Sequence, residues 1–220
     1  MTTTSETPLI NVHDMVVVHR TFRREFRLIP ELVRAVAPGD TARAAVLAGH
    51  ARKVLGGLHM HHTGEDLLLW PKLLERCSPD AELVHRMEEQ HERVHDALER
   101  IGPALDRWEA EARPAVTEEV AAGFDALRTA LLEHLDDEER EILPLAARHI
   151  TQAEWNQLGE HGASTVKLSQ LPILFGSVAE EATPEEMVHI LSTVPAPVRF
   201  LLRTVFAKQY ARYISRVRNG

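Results

Sequence analysis

Histidine and glutamate recur in this chain at spacings that suit metal binding. Residues four apart lie on one face of a helix, so their side chains can reach one ion or bridge two. The chain carries three such pairs of potential ligands, and one further histidine precedes them. The candidate metal ligands are His19, His61, Glu65, His91, His95, His134 and Glu138.

Part of this pattern is an internal repeat. A histidine, a glutamate four residues later and a proline six residues after that occur twice, 73 residues apart. The single histidines that precede the two copies are 72 residues apart. We predict two helical hairpins, each with one histidine on its first helix and a His/Glu pair on its second. The copies are His19 with His61-x3-Glu65-x5-Pro71, and His91 with His134-x3-Glu138-x5-Pro144.

The elements that must position these residues are predicted to be four long helices. Apolar residues recur every three or four positions over the first 150 residues, as in amphipathic helices. Breaks at Pro38-Gly39-Asp40, Cys77-Ser78-Pro79 and Arg113-Pro114 separate the helices. We expect helix starts at Thr7-Pro8, Asp40 and Ser78, and kinks at Pro71 and Pro144.

The predicted fold class is therefore all-α. Seams with a three- and four-residue step indicate an antiparallel, up-down-up-down four-helix bundle over residues 8–150. Shorter helical segments follow, and we predict a helical C-terminal extension over residues 151–220. Capping-box patterns at Thr151 and Thr183 each predict a helix start there.

The candidate ligands occupy gaps in the apolar seams, and these gaps lie at one height. Antiparallel helices bring residues to the same level when both are equally far from the connecting loop. His19 and His61 are 20 and 22 residues from Gly39, or about 30 Å at 1.5 Å per residue. At the other two turns, the candidate ligands on the two adjoining helices are likewise about equally far from the turn along the chain. Buried charges need partners, so we predict a metal cluster in this layer.

The donor set favours iron over zinc. Five histidines and two carboxylates exceed what one tetrahedral zinc ion binds. Imidazole mixed with carboxylate suits non-haem iron, and two ions fit the number of donors better than one.

With these seven ligands, residues 8–150 resemble the hemerythrin-like family, also called HHE cation-binding domains. The resemblance implies two bridged non-haem irons in a four-helix bundle, with one position open to O2 or peroxide. It implies that His91, His95 and His134 bind one iron, that His19 and His61 bind the other, and that Glu65 and Glu138 bridge them. Oxygen-carrying hemerythrins have an Asp one residue beyond the position of Glu138, so O2 carriage is less strongly implied than di-iron binding.

The remaining histidines need no metal. His62 is rotated about 100° from His61 on a helix, which leaves a supporting or substitute-ligand role open, whereas His59 is expected to face solvent. For the others we expect surface, capping or solvated positions: His13, His50, His85, His149, His161 and His189.

Two other metal chemistries are conceivable. His91-Glu92-Arg93-Val94-His95 matches the H-E-x-x-H motif of zinc proteases, but Glu92 falls on the outward side of the helix. A ferritin-like site would need E-x-x-H on two helices, whereas here the Glu88 and Glu92 versions both fall on the third. Both tyrosines lie beyond residue 200, so we expect no redox tyrosine in the bundle.

Composition limits the classes of partner that we expect for the protein and its expected location. The net charge of −8 disfavours nucleic acid, the single cysteine excludes an internal disulfide, and no apolar run suggests a membrane span or leader, so we expect a cytoplasmic protein. Residues 187–220 nevertheless carry +6 and no acidic residue. Over 202–217 we predict a basic amphipathic helix that docks on the bundle or on a second copy of the chain, or meets another partner or a membrane surface.

The sequence leaves three functions open. The site would bind O2 or a related oxidant for sensing or transport, decompose peroxide as a catalase-like enzyme, or buffer or sense iron. The expected ligands of the metal are O2 and H2O2, and no residue separates binding from catalysis.

Overall fold

A computed structural model describes residues 9–77, 81–192 and 194–220. Within these ranges the chain is helical and contains no strand, which confirms the all-α prediction. The bundle helices are α1 (His13–Arg34), α2 (Thr41–Leu68), α3 (Trp70–Arg76), α4 (Ala81–Glu111), α5 (Pro114–Asp137) and α6 (Leu143–His149). The C-terminal helices are α7 (Gln152–Thr165), α8 (Leu171–Glu181), α9 (Pro184–Ile190), α10 (Ala196–Leu201) and α11 (Ala207–Asn219), with a 3₁₀ turn at Leu168–Gln170.

The four long helices pack as a closed ring. α1 contacts α2, α2 contacts α4, α4 contacts α5, and α5 returns to α1. The loops after α1 and α4 meet, because the Gly39 amide donates to the Ala112 carbonyl at 3.0 Å. Both residues have positive φ, 81° and 43°, and these tight turns place two helix-helix connections at the same end of the bundle.

Local sequence explains most of the helix boundaries. The Asp40 side chain accepts a hydrogen bond from the Arg43 amide at 2.9 Å and caps α2 as predicted. α4 ends before Arg113, and Pro114 opens α5, where a missing amide hydrogen costs nothing. The predicted caps at Thr7 and Ser78 lie outside the described residues.

The second and fourth helices are both interrupted just beyond the candidate ligands. α2 ends at Leu68, and Pro71 stands in the first turn of α3. α5 passes into a π-helical turn, Glu138–Ile142, before Pro144 in the first turn of α6. Proline cannot donate the helical hydrogen bond, so both interruptions fall where the repeated prolines predict them. The π-turn was not predicted.

Two apolar clusters lie on either side of the candidate ligands. The larger one fills the end of the bundle near Gly39 and includes Phe26 and Trp108, and the smaller includes Met15 and Trp70. On α1, Met15 of the smaller cluster and Phe22 of the larger one flank His19, and on α4 Met87 and Val94 flank His91 in the same way. The polar layer is therefore sealed by apolar packing above and below.

The C-terminal helices cover the outside of the bundle. Capping boxes begin α7 at Thr151 and α9 at Thr183, as predicted. On α11 the basic face is exposed, whereas Tyr213, Ile214 and Val217 pack against the larger apolar cluster. None of the described helices has the length and hydropathy needed to cross a membrane.

A second buried polar group, which we call the docking cluster, joins α11 to the bundle. His50 on α2 bonds through Nε2 to the Glu25 carboxylate of α1 at 3.0 Å, and through Nδ1 to the Tyr213 hydroxyl at 2.8 Å. Arg24 contacts Glu25 at 2.8 Å, and Arg218 approaches it at 3.6 Å. The expectation of a solvated His50 is wrong, because α11 brings the Tyr213 hydroxyl onto His50 and because Glu25 of α1 holds its other nitrogen.

Candidate metal centre

Five segments of the bundle place candidate ligands in one buried layer. Six of the seven residues predicted from sequence lie there, together with His62, which the sequence left as a substitute. The layer contains His19 of α1, His61, His62 and Glu65 of α2, His91 of α4, His134 of α5, and Glu138 at the start of the π-turn.

The layer divides into two groups of four potential ligands. In each group one ligand atom from every residue lies within 4.8 Å of those of the others. Glu65 belongs to both groups, so its two oxygens can serve two neighbouring ions. The first group is His62, Glu65, His91 and His134, and the second is His19, His61, Glu65 and Glu138.

The ligand atoms face one another across the layer. Nε2 of His19 lies 3.2 Å from Oε2 of Glu138, and Nε2 of His61 lies 3.2 Å from Oε1 of Glu65. Nε2 of His91 lies 3.4 Å from Oε2 of Glu65. The two Glu65 oxygens therefore point to different histidines, one in each group.

Outer polar residues orient three of the histidines through Nδ1. The nitrogen of His19 contacts Glu139 Oε1 at 2.9 Å, and that of His91 contacts Asp66 Oδ1 at 2.7 Å. A carboxylate partner assigns the proton to Nδ1, which leaves a lone pair on Nε2 for a cation.

The third oriented histidine is His134. Its Nδ1 donates to the amide oxygen of Gln90 at 3.2 Å, and the Gln90 amide nitrogen donates to Asp137 at 3.0 Å. This neutral partner again directs Nε2 inward, where it lies 3.2 Å from Nε2 of His91.

The buried polar atoms of this layer fit a metal ion. Seven of them have no hydrogen-bond partner among the described residues: Nε2 of His19, His61 and His62, and both carboxylate oxygens of Glu65 and Glu138. Leaving one such group unsatisfied costs about 1–3 kcal/mol, and more when it is charged. A cation at the centre of each group would satisfy them all.

Without a cation, the two glutamates differ in pKa. Burial and the neighbouring Glu138 carboxylate raise the pKa of Glu65 to about 8. Burial also opposes charge on Glu138, but the His19 imidazolium holds the pKa of Glu138 at about 2. Two carboxylates this close do not both ionise readily unless a cation replaces the proton.

The histidines of the layer also differ in pKa. Burial opposes charge on both His19 and His91, yet the carboxylates beside them raise each pKa to about 9. Burial lowers the pKa of His134 to about 3 and those of His61 and His62 well below the ordinary value. The metal-free layer therefore holds protons in the places that metal ions would take.

His95 does not lie in the layer, and His62 occupies the position that was predicted for His95. His95 is exposed, and its ring lies 5.7 Å from that of His59. The His62 ring is buried and stacks on His91 with centroids 4.1 Å apart. The rotations of two helices about their axes decide the exchange, because α2 turns both His61 and His62 toward the interior and α4 turns His91 inward but leaves His95 outside.

The orienting residues Asp66, Gln90 and Glu139 were not among the ligands predicted from sequence. Each of them directly precedes or follows a candidate ligand, Glu65, His91 or Glu138. A polar residue next to a seam position was therefore the available signal, although it is shared by many solvent-facing residues.

The geometry gives no support to zinc-protease chemistry. Glu92, the base that the H-E-x-x-H motif requires, is exposed on the outer side of α4.

Of the remaining histidines, His13 and His85 are exposed and contact Glu186 and Glu88. The ring of His161 lies beside Gly64 on the outside of α2, where an added Cβ would approach it to 3.3 Å.

This bundle, with a central layer of histidine and carboxylate side chains, has the architecture of a helical cation-binding protein. A sequence model of the hemerythrin HHE cation-binding domain matches residues 11–146. That is more than half of the chain, and the chain therefore belongs to this family. No curated protein and no solved structure matches it significantly.

Proposed function

We propose that the chain is a non-haem di-iron protein that binds or reacts with O2 or peroxide. One iron would be held by His62, His91 and His134, the other by His19 and His61, with Glu65 shared and Glu138 beside the second iron. The observation that carries this proposal is the pair of four-residue groups joined at Glu65.

The choice of iron rests on the donor atoms. Three imidazoles with one carboxylate, and two imidazoles with two carboxylates, match the preference of non-haem iron for mixed nitrogen and oxygen ligands. Four protein donors leave coordination positions for an exogenous molecule. Iron bound here would supply one-electron redox chemistry and a place for O2 or peroxide to bind.

The protein itself would keep the layer ordered and dry. Asp66, Gln90 and Glu139 hold three imidazole rings with Nε2 directed inward. The two apolar clusters limit the entry of water from either end of the bundle, which favours a small neutral molecule over a charged substrate.

Rapid mixing of the anaerobically reduced, iron-loaded protein tests this function. With O2, we expect a new charge-transfer absorption whose lifetime separates binding from turnover. A persistent adduct identifies an O2-binding protein. Sustained evolution of O2 from H2O2 identifies a catalase-like enzyme.

An iron-loaded protein that reacts with neither oxidant would contradict the proposal and favour iron storage or sensing. His62→Ala tests whether the reaction needs both ions, because the variant should lose one ion and with it the reaction with O2 or H2O2. A response that persists unchanged in His62→Ala would show that the reaction does not need the paired site.

A further inference from the structure

Two exposed histidines lie together directly outside the candidate metal centre. His59 of α2 and His95 of α4 are both exposed, and their ring centroids are 5.7 Å apart with the planes inclined at 36°. No hydrogen bond or ion pair of the described residues engages either ring. Both rings are therefore available to a ligand from solvent.

The exposed pair continues the buried layer toward solvent. His59 precedes His62 by three residues on α2, and His95 follows His91 by four residues on α4, so each is one helical turn from a buried counterpart. His62 and His91 are themselves stacked, with centroids 4.1 Å apart. Four imidazoles thus form two successive pairs between the same two helices, one exposed and one buried.

A buried metal site needs a route by which the ion arrives. Both oxygens of Glu65 and Nε2 of His62 are inaccessible to solvent, and His91 is buried, so an ion cannot reach them in one step. Imidazole binds divalent transition metals from water. An exposed pair one turn from two inner ligands provides a first binding position on such a route.

We propose that His59 and His95 form an entry site that captures a divalent transition-metal ion and passes it to the buried centre through His62 and His91. This role rests on the proposed function, since it requires a resident metal inside. It also gives His95 a part in metal handling without making it a permanent ligand.

The rate of metal uptake by the metal-free full chain tests the entry site. Co2+ serves as the probe, because its visible absorption reports coordination as it occurs. His59→Gln combined with His95→Gln should slow uptake several-fold and leave the final Co2+ content at that of the unmodified chain. The control variant, His149→Gln combined with His189→Gln, removes two exposed histidines elsewhere and should load at the normal rate.

A second measurement detects the ion at the pair itself. In protein whose buried centre is filled with diamagnetic Zn2+, added Co2+ should broaden the ring proton signals of His59 and His95 before those of other exposed histidines. Normal uptake in the double variant, or no selective broadening, would overturn the entry site. Loss of an ion at the end point in His95→Gln would also overturn it, because His95 would then be a resident ligand.

These outcomes separate the two proposals. An unmodified chain that takes up no metal contradicts the di-iron function and removes the destination of the route. A chain that loads two ions at the same rate with and without the exposed pair contradicts the entry site alone.

Discussion

The metal centre and the docking cluster both bury histidine beside carboxylate in the same bundle, yet they differ in how their polar atoms are satisfied. In the docking cluster, both nitrogens of His50 and both oxygens of Glu25 have protein partners. In the metal centre, neither oxygen of Glu65 or Glu138 has a hydrogen bond among the described residues.

This difference distinguishes a structural group from a binding site. A buried polar group that is fully paired contributes to a specific fold. One that is left unpaired costs free energy, which a ligand can recover. Burial of His50 and Glu25 thus identifies no site. The atoms around Glu65 do identify one, because they face one another at 3.2–3.4 Å without forming hydrogen bonds.

The largest effect is expected at the residue that the two metal groups share. Glu65→Gln keeps the size of the side chain but removes the charge that would bridge two ions, so we expect both ions to be lost. Metal analysis of the purified full chain measures this. Glu25→Gln is the matched control in the docking cluster and should retain both ions; equal loss in the two variants would remove the distinction between the clusters.

The next effect concerns the two histidines that sequence and structure assign differently. His62→Ala should lose one of two ions, because His62 completes the first group, whereas His95→Ala should keep both at equilibrium. Iron content per chain after anaerobic loading separates the variants. The reverse result, with His95→Ala losing an ion, would restore the ligand set implied by the family resemblance.

Disrupting the docking cluster should lower the free energy of unfolding without changing the metal content. Glu25→Ala leaves the buried Nε2 of His50 without its carboxylate, whereas the half-buried Arg24 keeps its contact with Glu181 at 2.6 Å. Leaving one buried polar group without a partner costs about 1–3 kcal/mol. Denaturant unfolding measures the change in the free energy of unfolding. The control is Glu31→Ala on the same helix, whose exposed pair with Arg27 is worth about 1 kcal/mol or less. A similar loss in both variants would contradict the structural role of the docking cluster.

The last effect is graded, not all-or-none: it is the pH dependence of metal binding. The pKa values of His19 and His91 are raised to about 9 and that of Glu65 to about 8, so below these values the metal-free layer holds protons that an ion must displace. Affinity for Zn2+ should therefore rise between pH 6.5 and pH 9, by up to about tenfold per pH unit for each proton released. Calorimetry in two buffers of different ionisation enthalpy measures this release, and an affinity independent of pH would contradict the protonation pattern.

Sequence patterns predicted the layer because its physical cause is periodic. Polar residues at seam positions of four helices must meet in the interior, and equal distances from the turns bring them to one height. The rule holds for six of the predicted ligands, and all six lie in the layer: His19, His61, Glu65, His91, His134 and Glu138.

The exchange of His95 for His62 could not be predicted from the same patterns. Adjacent positions on a helix differ by about 100°, and both residues lie near the edge of the apolar stripe. The choice depends on how far each helix is rotated in the packed bundle, which is a property of the tertiary structure and not of either helix alone.

The docking cluster was missed for a related reason. His50 and Tyr213 are separated by 163 residues, and the contact depends on where the last helix docks. The amphipathic pattern of residues 202–217 predicted an apolar face for docking, but it contained no information on which bundle residues would receive that face.

The iron content of the full chain after anaerobic loading with Fe2+ and removal of unbound metal tests the central claim most directly. The unmodified chain should retain two irons, and His61→Ala combined with His134→Ala, which removes one ligand from each group, should retain neither. One zinc and no iron in the unmodified chain, or full iron content in the double variant, would contradict the paired metal centre.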